Sequence, residues 1–254
     1  MIIARDCTDI NKPWYYLQHN FNNMNIFDRF LSVIAPYNCI GCNIEGSILC
    51  MECSEQIDRL PSICYSCGKA TGNYKLCGDC IGKNKPTHVW IVANYNNLAK
   101  DIVAACKFES KRSAASEMAK MIDSTLPYFP QEPLVVFVPT ANNHVRERGL
   151  DHSKLIAIYF AKLRGWRYLR LLIRTTGARQ LGATRDLRKK QLDGAFRINS
   201  GLAKCCKNRY ILLIDDVITT GATIEECTKQ LYKAGAKQVD VAVFARTPNK
   251  VGKT

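Results

Sequence analysis

The sequence has no long hydrophobic run and no recognisable secretory leader. No apolar stretch approaches the roughly 18 residues that a membrane-spanning helix requires. The first six residues contain no basic segment followed by a long hydrophobic one, so they do not resemble a signal peptide. Histidine is also scarce, and His88 and His144 are isolated from other candidate metal ligands. We therefore expect a cytoplasmic protein without a membrane span.

Negative charge is in short supply, with 36 Lys and Arg residues against 22 Asp and Glu residues. The imbalance lies entirely after residue 87: residues 1–87 carry eight basic and eight acidic residues, whereas residues 88–254 carry 28 and 14. A basic region attracts phosphate-rich partners, either a diphosphate or a nucleic acid backbone. A solvated basic surface is the alternative interpretation. The 254 residues suffice for one domain of ordinary size and a smaller one.

The first part of the chain divides into two segments. Residues 1–23 are polar, rich in asparagine and without periodicity, so we expect them to be disordered or loosely docked. Residues 24–87 begin with apolar residues at helical spacing between Ile26 and Ile34, which predicts a short amphipathic helix. Eight cysteines follow.

These cysteines form four Cys-x-x-Cys pairs, and each pair can point two sulfurs at one tetrahedral metal. Two pairs complete a closed structural site, so the sequence predicts about two zinc ions in a small zinc-ribbon domain. A disulfide framework is the alternative, which a reducing compartment would oppose. The sequence leaves open whether consecutive or interleaved pairs share a metal. The predicted ligands are Cys39, Cys42, Cys50, Cys53, Cys64, Cys67, Cys77 and Cys80.

A strand, a loop and a helix meet around residues 211–233. Four apolar residues at 211–214 predict a buried strand of a parallel sheet, which we expect to end at Asp215 and Asp216. Small and hydroxyl residues at 219–223 lead into a predicted helix, whose free N–H groups and dipole suit a phosphate. The carboxylates can accept hydrogen bonds from a diol or hold Mg²⁺ through water. Phosphate beside diol indicates a phosphorylated sugar, and a solvated Asp-Asp turn is the alternative.

Strand and helix patterns alternate from residue 88 to residue 254, which predicts an α/β domain with a doubly wound, mainly parallel sheet. Apart from the central unit, strands are predicted at 89–95, 134–138, 166–173, 195–198 and 238–244, with helices at 97–108, 113–126 and 153–163. A basic loop interrupted by glycine, residues 174–190, follows the third of these strands. It has the character of a mobile lid over a diphosphate, or of a solvated loop or nucleic acid contact.

The residues at 211–223 closely resemble the phosphoribosyl pyrophosphate (PRPP) loop of type I phosphoribosyltransferases. The order of the cysteine pairs, Arg146-x-Arg148-Gly149, Arg174-Thr175 and this loop resembles the ComF family of competence-associated, phosphoribosyltransferase-like proteins from about Met24 to Arg246. One departure is Leu150-Asp151-His152, where the family usually has Phe-Asn-Gln.

The resemblance implies a role for each motif. Asp215 and Asp216 would contact the ribose hydroxyls, and the 5′-phosphate would lie on Thr219, Thr220, Gly221, Ala222 and Thr223. A loop in this place holds the pyrophosphate of PRPP in type I phosphoribosyltransferases, so Arg146 and Arg148 are the candidates here, since a guanidinium matches phosphate bidentately. If the protein is an enzyme, we expect Mg²⁺ and Arg146, Arg148 or Arg185 to neutralise the leaving diphosphate. Arginines that only cap a helix start are the alternative.

Three functions are compatible with these motifs. The first is a Mg²⁺-dependent phosphoribosyltransferase with an unidentified acceptor. The second is a protein of natural competence and DNA uptake that binds incoming single-stranded DNA in the cytoplasm, in which the PRPP loop senses a ligand or grips a terminal phosphate. The third is a non-catalytic, zinc-stapled scaffold for proteins of the competence machinery. We favour a PRPP-binding fold that serves DNA uptake.

Overall fold

The computed structural model describes residues 37–108, 112–140, 151–175, 192 and 194–248. Several predictions lie outside these residues: the disordered segment 1–23, the helix beginning at Ile26, most of the loop 174–190, and the side chains of Arg146, Arg148 and Arg185. The described residues fall into two compact units divided between Gln56 and Ile57. The domain boundary after residue 87 stays a prediction.

The first unit is small and contains four of the paired cysteines. Its helix, α1, covers Met51–Glu55 and begins where the thiol of Cys50 accepts the Cys53 N–H. An isolated bridge between Asn38 and Glu45 closes the turn that carries Cys39 and Cys42. Short-range turns of this kind suit a segment whose main side chains are metal ligands.

The second unit is built on a five-stranded sheet in which every pairing is parallel. The order of strands is β1-β7-β6-β2-β3, and β4 and β5 form a separate antiparallel pair. The strands are β1 Val89–Asn94, β2 Leu134–Phe137, β3 Tyr168–Leu169, β4 Leu172–Arg174, β5 Phe196–Ile198, β6 Tyr210–Ile218 and β7 Gln238–Arg246. The prediction of a mainly parallel α/β sheet is confirmed.

Helices cover this sheet on both sides. They are α2 Asn97–Phe108, α3 Arg112–Thr125, α4 His152–Arg164 and α5 Ala222–Lys233, with a 3-10 helix at Ser200–Cys206. The chain moves across the sheet in one direction from β1 to β2 and in the other from β6 to β7. Right-handed crossovers therefore place α2 and α3 on one face and α5 on the other. With both faces covered, β6 and β7 are buried along most of their length.

Two strands differ from their predictions. β6 does not end at the acids: it continues to Ile218, because its backbone stays paired with β7 as far as Arg246. The strand predicted at 166–173 is split, since β3 joins the parallel sheet whereas β4 pairs with β5. Between them Leu171 turns into the core and its carbonyl accepts the Asn199 N–H at 2.8 Å. A continuous apolar pattern cannot show that the chain changes sheets.

No helix in the described part of the chain combines the length and the apolar character that a membrane crossing requires.

Candidate functional site

The two predicted acids lie side by side near the carboxyl end of β6, and their oxygens have different partners. Asp215 is buried, and its Oδ1 accepts the Ser153 hydroxyl at 2.9 Å and the Asp216 N–H at 3.0 Å. Asp216 is less buried, and its Oδ1 accepts the Val217 N–H at 2.6 Å. Its other oxygen, Oδ2, lies 2.6 Å from the Lys107 Nζ. Both carboxylates are therefore fixed by hydrogen bonds.

The electrostatics of this pair depend on burial. Burial, and next the neighbouring charge of Asp216, raise the pKa of Asp215 to about 8, although the Ser153 hydroxyl opposes the shift. Burial disfavours the ammonium of Lys107, but Asp216 more than compensates and raises the pKa of Lys107 above its ordinary value. A cation bound beside Asp215, or a diol that donates hydrogen bonds to it, would favour the ionised form of this buried acid.

Lys107 and Ser153 are site residues that the sequence analysis missed. Ser153 stands in the first turn of α4, next to the Asp151 cap. Lys107 lies in the last turn of α2, four residues after the fully buried Val103, so it continues the apolar stripe of that helix. A lysine on such a stripe needs an anionic partner, and this signal in the sequence could have identified it.

The predicted phosphate loop follows β6 directly. Gly221 adopts a left-handed backbone, with φ of 81°, and precedes the first residue of α5. The Ala222 N–H faces the Thr220 hydroxyl at 3.5 Å, while Thr219 is exposed and Thr223 half-buried. The structure thus brings the acids and the start of a helix to the same edge of the sheet, where open α/β folds bind ligands.

Two further loops begin at this edge. The ends of the loop before α4 are tied together, because Asp151 caps α4 at Lys154 N–H and also accepts the Thr140 hydroxyl at 3.2 Å. Asp151 is one of the three consecutive residues, Leu150 to His152, that depart from the family pattern. Arg174, at the start of the predicted lid, packs over the ring of Phe196 at 5.4 Å. Burial lowers the pKa of Arg174, and the neighbouring Cys227 and Asp215 oppose that shift.

The eight paired cysteines form two separate clusters, each made of consecutive pairs. Cys39, Cys42, Cys50 and Cys53 make the first, Cys64, Cys67, Cys77 and Cys80 the second, and within each cluster all sulfurs lie within 4.8 Å of one another. These consecutive pairs resolve what the sequence left open.

Sulfur spacing tests whether a metal fits. The Cys42 and Cys50 sulfurs are 3.7 Å apart, and those of Cys67 and Cys77 are 3.5 Å apart. A disulfide requires about 2 Å, whereas four sulfurs around a tetrahedral zinc lie about 3.8 Å from one another. All eight cysteines are free thiols, so the geometry fits two zinc sites and not a disulfide framework.

One thiol in each cluster has a pKa below the ordinary value for cysteine. Burial opposes the thiolate of Cys39, yet the N–H groups of Cys42 and Cys50 lower its pKa to about 6. Cys64 is equivalent: burial again opposes the charge, and the N–H groups of Cys77 and Cys67 lower its pKa to about 6. Because the thiolate is the form that binds metal, each cluster holds one ligand that ionises readily.

Three curated relatives align with most of the chain. It is 27% identical over 214 residues to the DNA utilization protein YhgH of Escherichia coli K12, which covers 78% of this chain and 90% of that protein. Identity is 25% over 230 residues to competence protein F of Haemophilus influenzae, with coverage of 83% and 97%. It is 28% over 213 residues to competence protein ComFC of Streptococcus pneumoniae, with coverage of 80% and 89%.

The chain is a homologue of the ComF and YhgH proteins. The resemblance to the ComF family that the motifs indicated is thereby confirmed. No protein-family model matches the chain.

Among solved structures, this chain aligns with the glutamine PRPP amidotransferase of B. subtilis complexed with ADP and GMP. The TM-score is 0.38 at 22% identity, and the alignment covers 52% of this chain. The alignment covers only 26% of that enzyme's length. Nothing about the chemistry of the present chain follows from this overlap.

Proposed function

We propose that this ComF homologue binds PRPP with Mg²⁺ at the carboxyl end of β6 and acts in DNA uptake. The observation that carries the proposal is the junction of Asp215 and Asp216 with the loop 219–223 and the start of α5. Hydrogen-bonded carboxylates suit a ribose diol, and the free N–H groups of a helix start suit a phosphate. One ligand that presents both groups is a ribose 5-phosphate.

Each side chain has a specific task in this proposal. Asp215 and Asp216 accept hydrogen bonds from the ribose hydroxyls, and their oxygens are the donors that Mg²⁺ prefers. Mg²⁺, when bound, supplies positive charge near the diphosphate. Arg146, Arg148 and Arg185 remain the predicted partners of the diphosphate, in the loops that begin at Thr140 and Arg174. Thr219, Thr220, Gly221, Ala222 and Thr223 surround the 5′-phosphate.

The reaction that this arrangement supports is displacement of pyrophosphate from C1 of the ribose. A nucleophile on the acceptor forms a bond to C1, the bond from C1 to the pyrophosphate oxygen breaks, and the acceptor's proton passes to solvent. Positioning and charge neutralisation would supply most of the rate enhancement. The class is pentosyl transfer to an acceptor that the site does not identify.

The biological role is proposed from the relatives and the charge. They are named for competence and for DNA utilization. The formal charge of +14 lies in the part of the chain that carries the site, and a basic protein attracts nucleic acid phosphates. We propose that the protein acts in the cytoplasm on incoming single-stranded DNA, alongside proteins of the competence machinery.

Calorimetric titration with PRPP and Mg²⁺ tests the ligand. The control is the double variant Asp215→Asn, Asp216→Asn, which keeps the shape of both side chains and removes both carboxyl groups. We expect saturable binding by the unaltered protein and at least a tenfold loss in the variant, since a charged hydrogen bond from the ribose to the Asp216 carboxylate contributes about 1.5–3 kcal/mol. Absence of binding by the unaltered protein would contradict the proposal.

Salt dependence tests the DNA partner separately. If several phosphates are contacted, single-strand affinity should fall by roughly a hundredfold or more between 50 and 200 mM salt. DNA binding that is absent at low salt, with PRPP binding intact, would instead favour a metabolic phosphoribosyltransferase without a DNA role. Failure of both ligands would leave the zinc-stapled scaffold.

A further inference from the structure

A buried tyrosine from the second cysteine cluster lies against the glycine that begins the phosphate loop's helix. Tyr65 stands between Cys64 and Cys67 in the chain and is 2% exposed. A Cβ atom placed on Gly221 would lie only 2.6 Å from the Cε2 atom of the Tyr65 ring. The ring therefore packs directly on the backbone of the loop, with no space between them.

The same segment also reaches an acid in the first turn of α5. The Tyr65 hydroxyl donates a hydrogen bond to Glu225 Oε1 at 3.2 Å, and the Lys85 ammonium donates to the same oxygen at 2.9 Å. The side chains of Lys85 and Glu225 are only 22% and 13% exposed. Water therefore screens this pair less than it screens an ion pair on the surface.

Glu225 lies within one helical turn of the loop, because its own N–H donates to the Gly221 carbonyl at 2.9 Å. A carboxylate at that distance repels an anion bound at the start of the helix, since it lies within a Debye length of about 8–10 Å. Lys85 neutralises this repulsion, and Tyr65 holds the carboxylate in place. Glu225 alone would oppose phosphate binding, but its carboxylate is bound by two residues that lie outside the α/β sheet, Tyr65 and Lys85, and Lys85 compensates its charge.

We propose that Tyr65 and Lys85 are positioning residues of the sugar-phosphate loop, so that the second four-cysteine cluster forms part of the binding site's wall. This inference rests on the proposed function, because it assumes that the loop binds an anion. Cys64 and Cys67 flank Tyr65, so a metal held by the cluster would fix the backbone that carries the tyrosine. The cluster then serves ligand binding as well as folding.

The test measures the dissociation constant of PRPP with Mg²⁺ for the full zinc-loaded chain and three variants. Lys85→Met removes the ammonium that lies 2.9 Å from the Glu225 carboxylate, and it should weaken binding by roughly three- to tenfold at low salt. The double variant Lys85→Met, Glu225→Gln removes both charges and should return affinity to that of the unaltered protein. Lys83→Met, at an exposed lysine two residues away, controls for lost net charge.

The salt dependence and a fourth variant, Tyr65→Phe, separate a loss of positioning from a folding defect. The loss in Lys85→Met should shrink as salt rises, because screening weakens the repulsion, whereas a misfolded loop would stay weak at every salt concentration. Tyr65→Phe keeps the packed ring and removes only the hydroxyl, so it should weaken binding by about two- to threefold even if Lys85→Met folds poorly.

The outcomes distinguish the two proposals. Normal PRPP binding by the unaltered protein together with unchanged affinity in Lys85→Met and Tyr65→Phe would overturn this inference alone. Equal losses in Lys85→Met and Lys83→Met, or no rescue by Glu225→Gln, would also overturn it. Failure of the unaltered protein to bind PRPP would contradict the proposed function, and this inference with it.

Discussion

Asp215 is a carboxyl group in a place that favours its neutral form. Burial raises its pKa to about 8, whereas an unfolded chain gives an aspartate pKa of about 3.9. Between these two values the folded protein holds a proton that the unfolded protein has lost. Folding stability contributed by this residue is therefore complete below about pH 4 and is lost as the pH rises towards 8.

A comparison with Asp215→Asn isolates this effect, because asparagine stays neutral at every pH. We expect the unfolding free energy of the unaltered protein, relative to the variant, to fall from pH 5 to pH 8 by at most about 1.4 kcal/mol per pH unit. Urea denaturation of both proteins at several pH values provides the measurement. A difference that is constant with pH would show that Asp215 is ionised throughout.

Lys107 is the cation that compensates Asp216, and its removal should leave a half-buried carboxylate without a nearby opposite charge. For Lys107→Met we expect a loss of about 2 kcal/mol in the free energy of unfolding of the ligand-free protein. Lys100→Met is the matched control, because Lys100 is an exposed lysine on the same helix. Its effect should stay within about 0.5 kcal/mol. Equal losses of unfolding free energy in Lys107→Met and Lys100→Met would show that Lys107 does not stabilise the fold through Asp216.

The turn between β6 and α5 is the element on which the site depends. Gly221 combines a φ of 81° with the close approach of the Tyr65 ring. We expect Gly221→Ala to cost about 1 kcal/mol for the left-handed backbone and about 1–3 kcal/mol for the overlap. Gly72→Ala is the control, since a Cβ there has no neighbour within 4 Å. Thermal denaturation measures the two melting temperatures. Equal melting temperatures for Gly221→Ala and Gly72→Ala would contradict the close packing of Tyr65 on Gly221.

The cysteine clusters make a prediction about metal content. Because Cys42 and Cys50 belong to one cluster, changing both to Ser should reduce the zinc content from about two per chain to about one. The matching pair Cys67→Ser, Cys77→Ser should do the same at the second cluster. Elemental analysis of purified protein measures this. Loss of both zinc ions from either double variant would indicate interleaved pairing.

Local chemistry was readable from the sequence where residue type alone decides it. The apolar run before Asp215, the four cysteine pairs and the helix after Gly221 were predicted because burial, metal ligation and helix starts have short-range signatures. The end of β6 was not, because it is fixed by pairing with β7. The change of sheet at Leu171 likewise depends on a hydrogen bond to Asn199, which is distant in the sequence.

At the scale of the whole molecule, the site joins segments that no single motif reveals. Lys107 comes from α2, Ser153 from α4, and Tyr65 from the second cysteine cluster, yet all contact the end of β6 or the loop after it. Their contribution depends on the order of strands in the sheet, which places these segments at one edge. The local sequence pattern therefore predicts the loop 219–223 but not Lys107, Ser153 and Tyr65, which come from distant segments.

A crystal structure of the protein with PRPP and Mg²⁺ would test the account most directly. The account predicts the 5′-phosphate on the N–H groups of residues 219–223, with the ribose hydroxyls on Asp215 and Asp216. It also predicts that Tyr65 remains packed on Gly221. Electron density for PRPP at another place, or none at these residues at saturating ligand, would contradict a sugar-phosphate site at the end of β6.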